Sequence, residues 1–177
     1  MKLKGPQRHR KRTGKSLVRP VLLVFFAAAA FFLTHSVPVS KARASAGNYA
    51  GTLDSEGVAR LIRAKGPPTV IVMMASWCGP CRGELPTLNK LYEKYRPRGL
   101  RMFGLSFEIG GPSTLQPILD RFHVRFPVYC VPEEILSEYG ITAIPLLFLI
   151  RNGKVMERIK GSHEEAFLEN KIHELLR

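Results

Sequence analysis

Cysteine is scarce in this chain: three residues among 177, too few for a small secreted scaffold held together by disulfides. Two of them, Cys78 and Cys81, form a close pair, and Cys130 is left over. One pair plus one single cysteine favours a redox site and a structural thiol over a disulfide framework. Cys130 lies in an apolar segment, where the sequence predicts a small buried hydrophobic residue.

Acidic residues are also few, with 14 Asp and Glu against 27 Lys and Arg, which gives a net charge of +13. The imbalance is concentrated in residues 1–44, which contain ten Lys and Arg and no Asp or Glu. The rest of the chain is close to neutral, with 17 basic and 14 acidic residues. We therefore expect no nucleic-acid partner for the folded part.

A long hydrophobic run is missing as well. The apolar run Val21–Leu33 has 13 residues, about 20 Å as a helix, against a hydrocarbon core of roughly 30 Å. Basic residues precede it, and Ala42-Arg43-Ala44 and Ala44-Ser45-Ala46 follow it as in cleavable signal peptides. An extension through Val39 would make a marginal membrane anchor, so a cleaved signal and an anchor both stay open. A third alternative is a basic cytoplasmic tail followed by a core helix. The first two predict that residues 1–46 are a leader and that the domain after it lies outside the cytoplasm.

Residues 47–53 are predicted to be a linker and residues 54–177 a single folded domain. The predicted order is a βαβ unit, an inserted helix, strand and helix, a β-hairpin at Asn152-Gly153, and a last helix. This order predicts an α/β fold with a central mixed sheet and helices on both faces. Ser162, with Glu165 three residues later, predicts a capping box for the last helix.

The motif Trp77-Cys78-Gly79-Pro80-Cys81 places two cysteines one turn apart at the start of a predicted helix. Unpaired backbone N–H groups and the helix dipole favour a thiolate there, and the thiolate is the attacking species. We expect Cys78 to be an exposed nucleophile with a lowered pKa, and Cys81 to be the more covered thiol that resolves a mixed disulfide. Trp77 is expected to pack beside the site and limit access to it.

Two other uses of the cysteine pair have less support. A zinc site needs two further ligands, and Cys130 and the scattered histidines form no second paired cluster. A structural disulfide across so short a loop would stabilise the fold only slightly. The sequence therefore predicts redox chemistry without a metal or other cofactor.

Residues from about 54 to 177 resemble the thioredoxin superfamily, and within it the TlpA/ResA-like membrane-associated thiol-disulfide oxidoreductases. The resemblance rests on the cysteine motif, on the segment Arg82–Pro86 after it, and on Tyr139–Pro145. It implies a thioredoxin-like fold with an inserted helix-strand unit before a cis proline, Pro145, that faces the cysteines. The Ile144 backbone is then free to pair with an extended substrate, so Trp77, Ile144 and Pro145 are the expected substrate contacts.

One acidic position common in thioredoxin-like proteins is absent, because the matching residue in the strand before the motif is Val72. Glu84, three residues after Cys81, resembles the glutamate of the TlpA/ResA-like branch that tunes the thiols or contacts substrate. A catalytic role for Glu84 competes with a solvated first-turn glutamate stabilised by the helix dipole.

The resemblance implies an extracytoplasmic, periplasmic or membrane-tethered oxidoreductase that reduces disulfides of protein substrates. A reductant in an oxidising compartment must be recharged, so a transmembrane electron donor of the DsbD/CcdA kind is the implied partner. Apocytochromes c and copper-site proteins are the candidate clients. Two alternatives stay open: a copper-delivery protein that binds Cu(I) through Cys78 and Cys81, and a non-catalytic interaction domain.

Overall fold

The computed structural model of the chain describes residues 50–177. These residues form a six-stranded sheet in the order β1-β4-β3-β2-β5-β6. The strands are β1 (Gly51–Thr52), β2 (Thr69–Met74), β3 (Arg101–Ser106), β4 (Val128–Cys130), β5 (Leu146–Arg151) and β6 (Lys154–Lys160). The helices are α1 (Ser55–Arg63), α2 (Gly79–Tyr95), α3 (Pro112–Arg121), α4 (Glu134–Glu138) and α5 (Glu165–Leu175), with a 3-10 turn at Arg96–Arg98.

The sheet is mixed, as the sequence predicts. Strands β1, β4, β3 and β2 are parallel to one another, while β5 is antiparallel to both β2 and β6. Alternate residues of β2 enter two different apolar clusters: Val70 and Val72 pack with α2, α3 and α5, and Ile71 and Met73 with α1 and α4. Helices therefore cover both faces, which explains why all six residues of β2 are buried and why those after Thr69 are all apolar.

The predicted insertion is present between β3 and β5, where α3 leads into β4 and β4 pairs beside β3. Strand β1 then extends the sheet by pairing with β4. The backbone N–H of Ala50 donates to Oε1 of Gln116 at 2.8 Å, and that of Leu53 donates to the Cys130 carbonyl at 3.0 Å. The sheet therefore includes Gly51 and Thr52 of the segment predicted to be a linker.

The hairpin at Asn152-Gly153 is confirmed, and both residues have the positive φ that such a tight turn requires, 52° and 73°. The prediction of a capping box is wrong. Helix α5 begins only at Glu165, after Glu164, and no side chain caps its first turn. Ser162 remains in the loop between β6 and α5, too far before the helix to act as its cap.

The predicted leader, residues 1–46, lies outside the described residues. No helix within residues 50–177 has the length and apolar character needed to cross a membrane.

Candidate active site

The cysteine motif lies where β2 passes into α2, as its position in the sequence predicts. Cys78 is the N-cap residue of α2, and its Sγ accepts a hydrogen bond from the Cys81 backbone N–H at 3.2 Å. Pro80 occupies the first turn, where no backbone N–H is needed. The two cysteines form a disulfide with their Cα atoms 5.3 Å apart, within the ordinary range for such bonds.

The prediction that Cys78 is exposed is wrong for this oxidised form. Cys78 is 6% exposed and Cys81 is 3% exposed, because the disulfide joins them and both pack into the larger apolar cluster, the one that Val70 and Val72 form with α2, α3 and α5. Trp77, which directly precedes Cys78, is 65% exposed. The Cys78 N–H donates to the Ala75 carbonyl at 3.1 Å, and this tight turn directs Trp77 toward solvent.

Glu84 lies one helical turn after Cys81 and is only 3% exposed, so the solvated-glutamate alternative is wrong. Its Oε1 accepts a hydrogen bond from the His163 backbone N–H at 2.9 Å. Its Oε2 is buried and makes no direct hydrogen bond to the described residues. Burial raises the pKa of Glu84, and this is the largest effect on it. The His163 backbone N–H, the charge of His163 and, least of all, the Ser162 hydroxyl each lower that pKa, but by less than burial raises it.

The strand before the motif carries no acid, as the sequence indicates. Val72 is buried in the larger cluster beside Leu147 of β5. Within the described range, Glu84 is the only buried carboxylate.

The peptide bond between Ile144 and Pro145 is cis, as the resemblance implies. Leu146 follows directly and pairs with Met73, near the end of β2 from which the cysteine loop departs. Register therefore places the proline and the cysteine loop at the same edge of the sheet. The Pro145 carbonyl accepts a hydrogen bond from the Gly161 N–H at 2.9 Å, which joins this segment to the loop that also contacts Glu84.

A second carboxylate beside the motif was missed in the sequence. Both oxygens of Glu108 accept hydrogen bonds from Ser76, the residue before Trp77. The sequence does contain a signal for this pairing. Ser76 and Glu108 each follow the carboxyl end of a predicted buried strand, and such ends meet at one edge of a parallel sheet.

Cys130 is 7% exposed and belongs to the larger cluster, which confirms the prediction of a buried thiol. Burial raises its pKa to about 11, with a smaller contribution from the negative charge of Glu108. Among residues 50–177, no group of three or more His, Cys, Asp or Glu side chains could hold a metal ion.

Comparison with known proteins agrees with this geometry. A protein-family model described as the AhpC/TSA family matches residues 45–158. The thiol-disulfide oxidoreductase ResA of Geobacillus thermodenitrificans is 30% identical over 149 residues, 80% of this chain and 84% of that protein. ResA of Bacillus thuringiensis subsp. konkukian is 30% identical over 113 residues, 63% of this chain, and the match spans 65% of that protein's length. A structure of a thiol:disulfide interchange protein DsbE from Chlorobium tepidum superposes with a TM-score of 0.60 at 29% identity, covering 64% of this chain and 82% of that one.

Proposed function

The chain belongs to the AhpC/TSA family and is a thiol–disulfide oxidoreductase with a thioredoxin-like fold, and we propose that it reduces disulfides of protein substrates outside the cytoplasm. The observation that carries the proposal is the Cys78–Cys81 disulfide at the N-terminus of α2, on the same sheet edge as a cis proline. After reduction, the N-terminus of the helix stabilises the thiolate of the first cysteine, which suits that cysteine to attack.

The proposed reaction has two exchange steps. In the first, the Cys78 thiolate attacks one sulfur of the client disulfide, forms a mixed disulfide and releases the client's other sulfur as a thiolate. In the second, the Cys81 thiolate attacks Cys78 Sγ, closes the Cys78–Cys81 disulfide and releases the remaining client thiolate. Two electrons pass to the client, both of whose sulfurs end as thiols after taking up protons, and the protein ends oxidised.

Glu84 is the proposed proton acceptor for the second step. The thiol of Cys81 must lose its proton before it can attack, because the thiolate is the nucleophile. Glu84 lies one turn along the same helix, is equally buried, and has a raised pKa that brings its proton affinity closer to that of a thiol. Its unpartnered Oε2 is the oxygen that takes the proton, directly or through a water.

Substrate binding is proposed to involve Trp77, Ile144 and Pro145. Trp77 offers an exposed aromatic surface directly before Cys78. The half-buried Ile144 precedes a proline that has no backbone N–H, so a client backbone in extended form pairs with Ile144 rather than with Pro145.

The proposed location follows from the N-terminal sequence, which combines a basic start with an apolar run and small residues. A reductant there is oxidised in each cycle, so the proposal includes a membrane-embedded donor of the DsbD/CcdA kind that returns two electrons to the Cys78–Cys81 disulfide. Apocytochromes c and copper-site proteins are the proposed clients.

Insulin reduction with dithiothreitol as the electron source tests the activity, and Cys78→Ser is the control. We expect catalysis by the wild-type protein and none by the variant. Equal rates with both proteins would contradict the proposal, as would tight stoichiometric Cu(I) binding by the reduced protein without disulfide reduction. Fractionation of the producing cells tests the location: recovery in the cytoplasm would refute it.

A further inference from the structure

Ser76 is held by hydrogen bonds at its backbone N–H, its hydroxyl and its carbonyl. Its N–H donates to Glu108 Oε1 at 2.5 Å, and its hydroxyl donates to Glu108 Oε2 at 2.6 Å. Its carbonyl accepts from Arg82 Nη1 at 3.3 Å. Ser76 is a loop residue, yet three hydrogen bonds fix it, and two of them end on one carboxylate.

Glu108 is itself fixed by the sheet. Strands β2 and β3 pair in parallel with Met74 opposite Ser106, so Ser76 and Glu108 each lie two residues beyond the last pair. The Ser106 hydroxyl donates to Glu108 Oε1 at 2.7 Å, and Thr114 Oγ1 lies 3.5 Å from Oε2. The carboxylate therefore transmits the rigid register of the two central strands to the loop that follows β2.

The anchored residue, Ser76, lies two positions before the reacting cysteine, with Trp77 between them. Ser76 lies in the turn that the Cys78 N–H closes by donating to the Ala75 carbonyl. A shift of Ser76 would move Trp77 and Cys78 together, and would take Cys78 Sγ away from the helix N–H group that stabilises its charge. The charge-assisted hydrogen bonds to Glu108 resist such a shift.

We propose that Glu108 is a positioning residue for thiol–disulfide exchange: it holds the Ser76 peptide so that the Cys78 thiolate stays at the N-terminus of α2. Glu108 touches neither the sulfur atoms nor a substrate in this role. The inference rests on the proposed function, because it concerns the reactivity of the attacking thiol.

Glutamine can replace this carboxylate without changing the geometry. Its Oε1 can accept the bonds from the Ser76 N–H and the Ser106 hydroxyl, while its amide Nε2 can donate to the Ser76 hydroxyl. Alanine removes every one of these bonds. The comparison of Glu108→Gln with Glu108→Ala therefore separates positioning from a simple effect of the negative charge.

The test measures how fast iodoacetamide alkylates Cys78 in the reduced full-length protein at neutral pH. In Glu108→Ala we expect the rate constant to fall about tenfold or more, because small misplacements of a reacting group have effects of that size. In Glu108→Gln we expect a rate within about twofold of wild type, since the bonds are preserved. Glu133→Ala, which removes an exposed carboxylate whose side chain makes no bond to the described residues, is the matched control and should also stay within about twofold.

An unchanged rate in folded Glu108→Ala would overturn the proposal, and so would a Glu108→Gln variant as slow as the alanine variant. If Glu108→Ala does not fold, Glu108→Asp replaces it under the same criteria, because its shorter side chain cannot reach both Ser76 groups. Insulin reduction by the wild-type protein is measured in parallel. Its failure would refute the proposed function, whereas alkylation of Cys78 needs no client and reports on Glu108 alone.

Discussion

Replacing Glu84 with glutamine is expected to stabilise the oxidised protein at neutral pH. Glu84 is almost fully buried, and burial raises its pKa above the ordinary value of 4.5. The folded state therefore binds the proton more tightly than the unfolded state. The stability that this provides is complete below pH 4.5 and is lost as the pH rises through the folded-state pKa.

The size of the effect follows from the carboxylate's partners. Oε1 has one strong hydrogen bond, from the His163 backbone N–H, and the side-chain oxygen of glutamine can keep it. Oε2 is buried without a direct partner, and a buried polar group in that state costs about 1–3 kcal/mol, or more when charged. The new amide also lacks a full set of partners, so the substitution removes only part of this cost. We therefore expect Glu84→Gln to raise the free energy of unfolding by about 1–2 kcal/mol at neutral pH.

Urea denaturation of the oxidised proteins at pH 7.5 and at pH 4 measures this difference. A gain of that size raises the denaturation midpoint by about 0.5–1 M urea for a typical dependence on denaturant. At pH 4 the gain should shrink to a few tenths of a kcal/mol, since wild-type Glu84 is then largely protonated. The matched control is Glu93→Gln on the same helix, where an exposed ion pair with Arg96 is lost and the change should stay below about 1 kcal/mol at both pH values.

Two results would refute this reasoning. One is a Glu84→Gln variant that is less stable than wild type at pH 7.5. The other is a gain of equal size at both pH values, which would show that the charge of Glu84 is not the cause.

Three further predictions concern the cysteines and the core. Cys81→Ser should accumulate mixed disulfides with client proteins through Cys78, visible on non-reducing gels and absent from a variant that also carries Cys78→Ser; equal amounts in both would contradict the assigned order of attack. Cys130 has a pKa of about 11 and is almost fully buried, so it should resist iodoacetamide at pH 8 in the folded reduced protein and react in denaturant. Mass spectrometry would measure this, and labelling of Cys130 as fast as that of Cys78 would contradict the prediction. Leu91→Ala, at a fully buried position of α2, should lower the free energy of unfolding by about 2–5 kcal/mol in urea, and a loss below about 1 kcal/mol would mean that the site is poorly packed.

Much of the site could be predicted because its determinants are local. The cysteine pair, the proline after it and the hairpin turn are short motifs whose spacing alone specifies the backbone. The inserted helix and strand followed from the sequence pattern as well as the resemblance, and the cis bond before Pro145 followed from the resemblance; the structure shows both.

The features that were missed or wrong depend on long-range packing. The exposure of Cys78 is decided by residues from several helices that share its cluster, which a motif cannot reveal. The pairing of Glu108 with Ser76 joins residues 32 positions apart and needs the register of β2 and β3. The burial of Glu84 likewise depends on the loop that carries His163, 79 residues along the chain.

The reduction potential of the Cys78–Cys81 pair tests the central claim most directly. It can be measured by equilibrating the protein with thiol–disulfide buffers and quantifying the oxidised fraction by alkylation and mass spectrometry. A reductant of protein disulfides should have a potential close to that of thioredoxin, about −270 mV. A potential near −120 mV, as in a strong disulfide donor, would contradict the account.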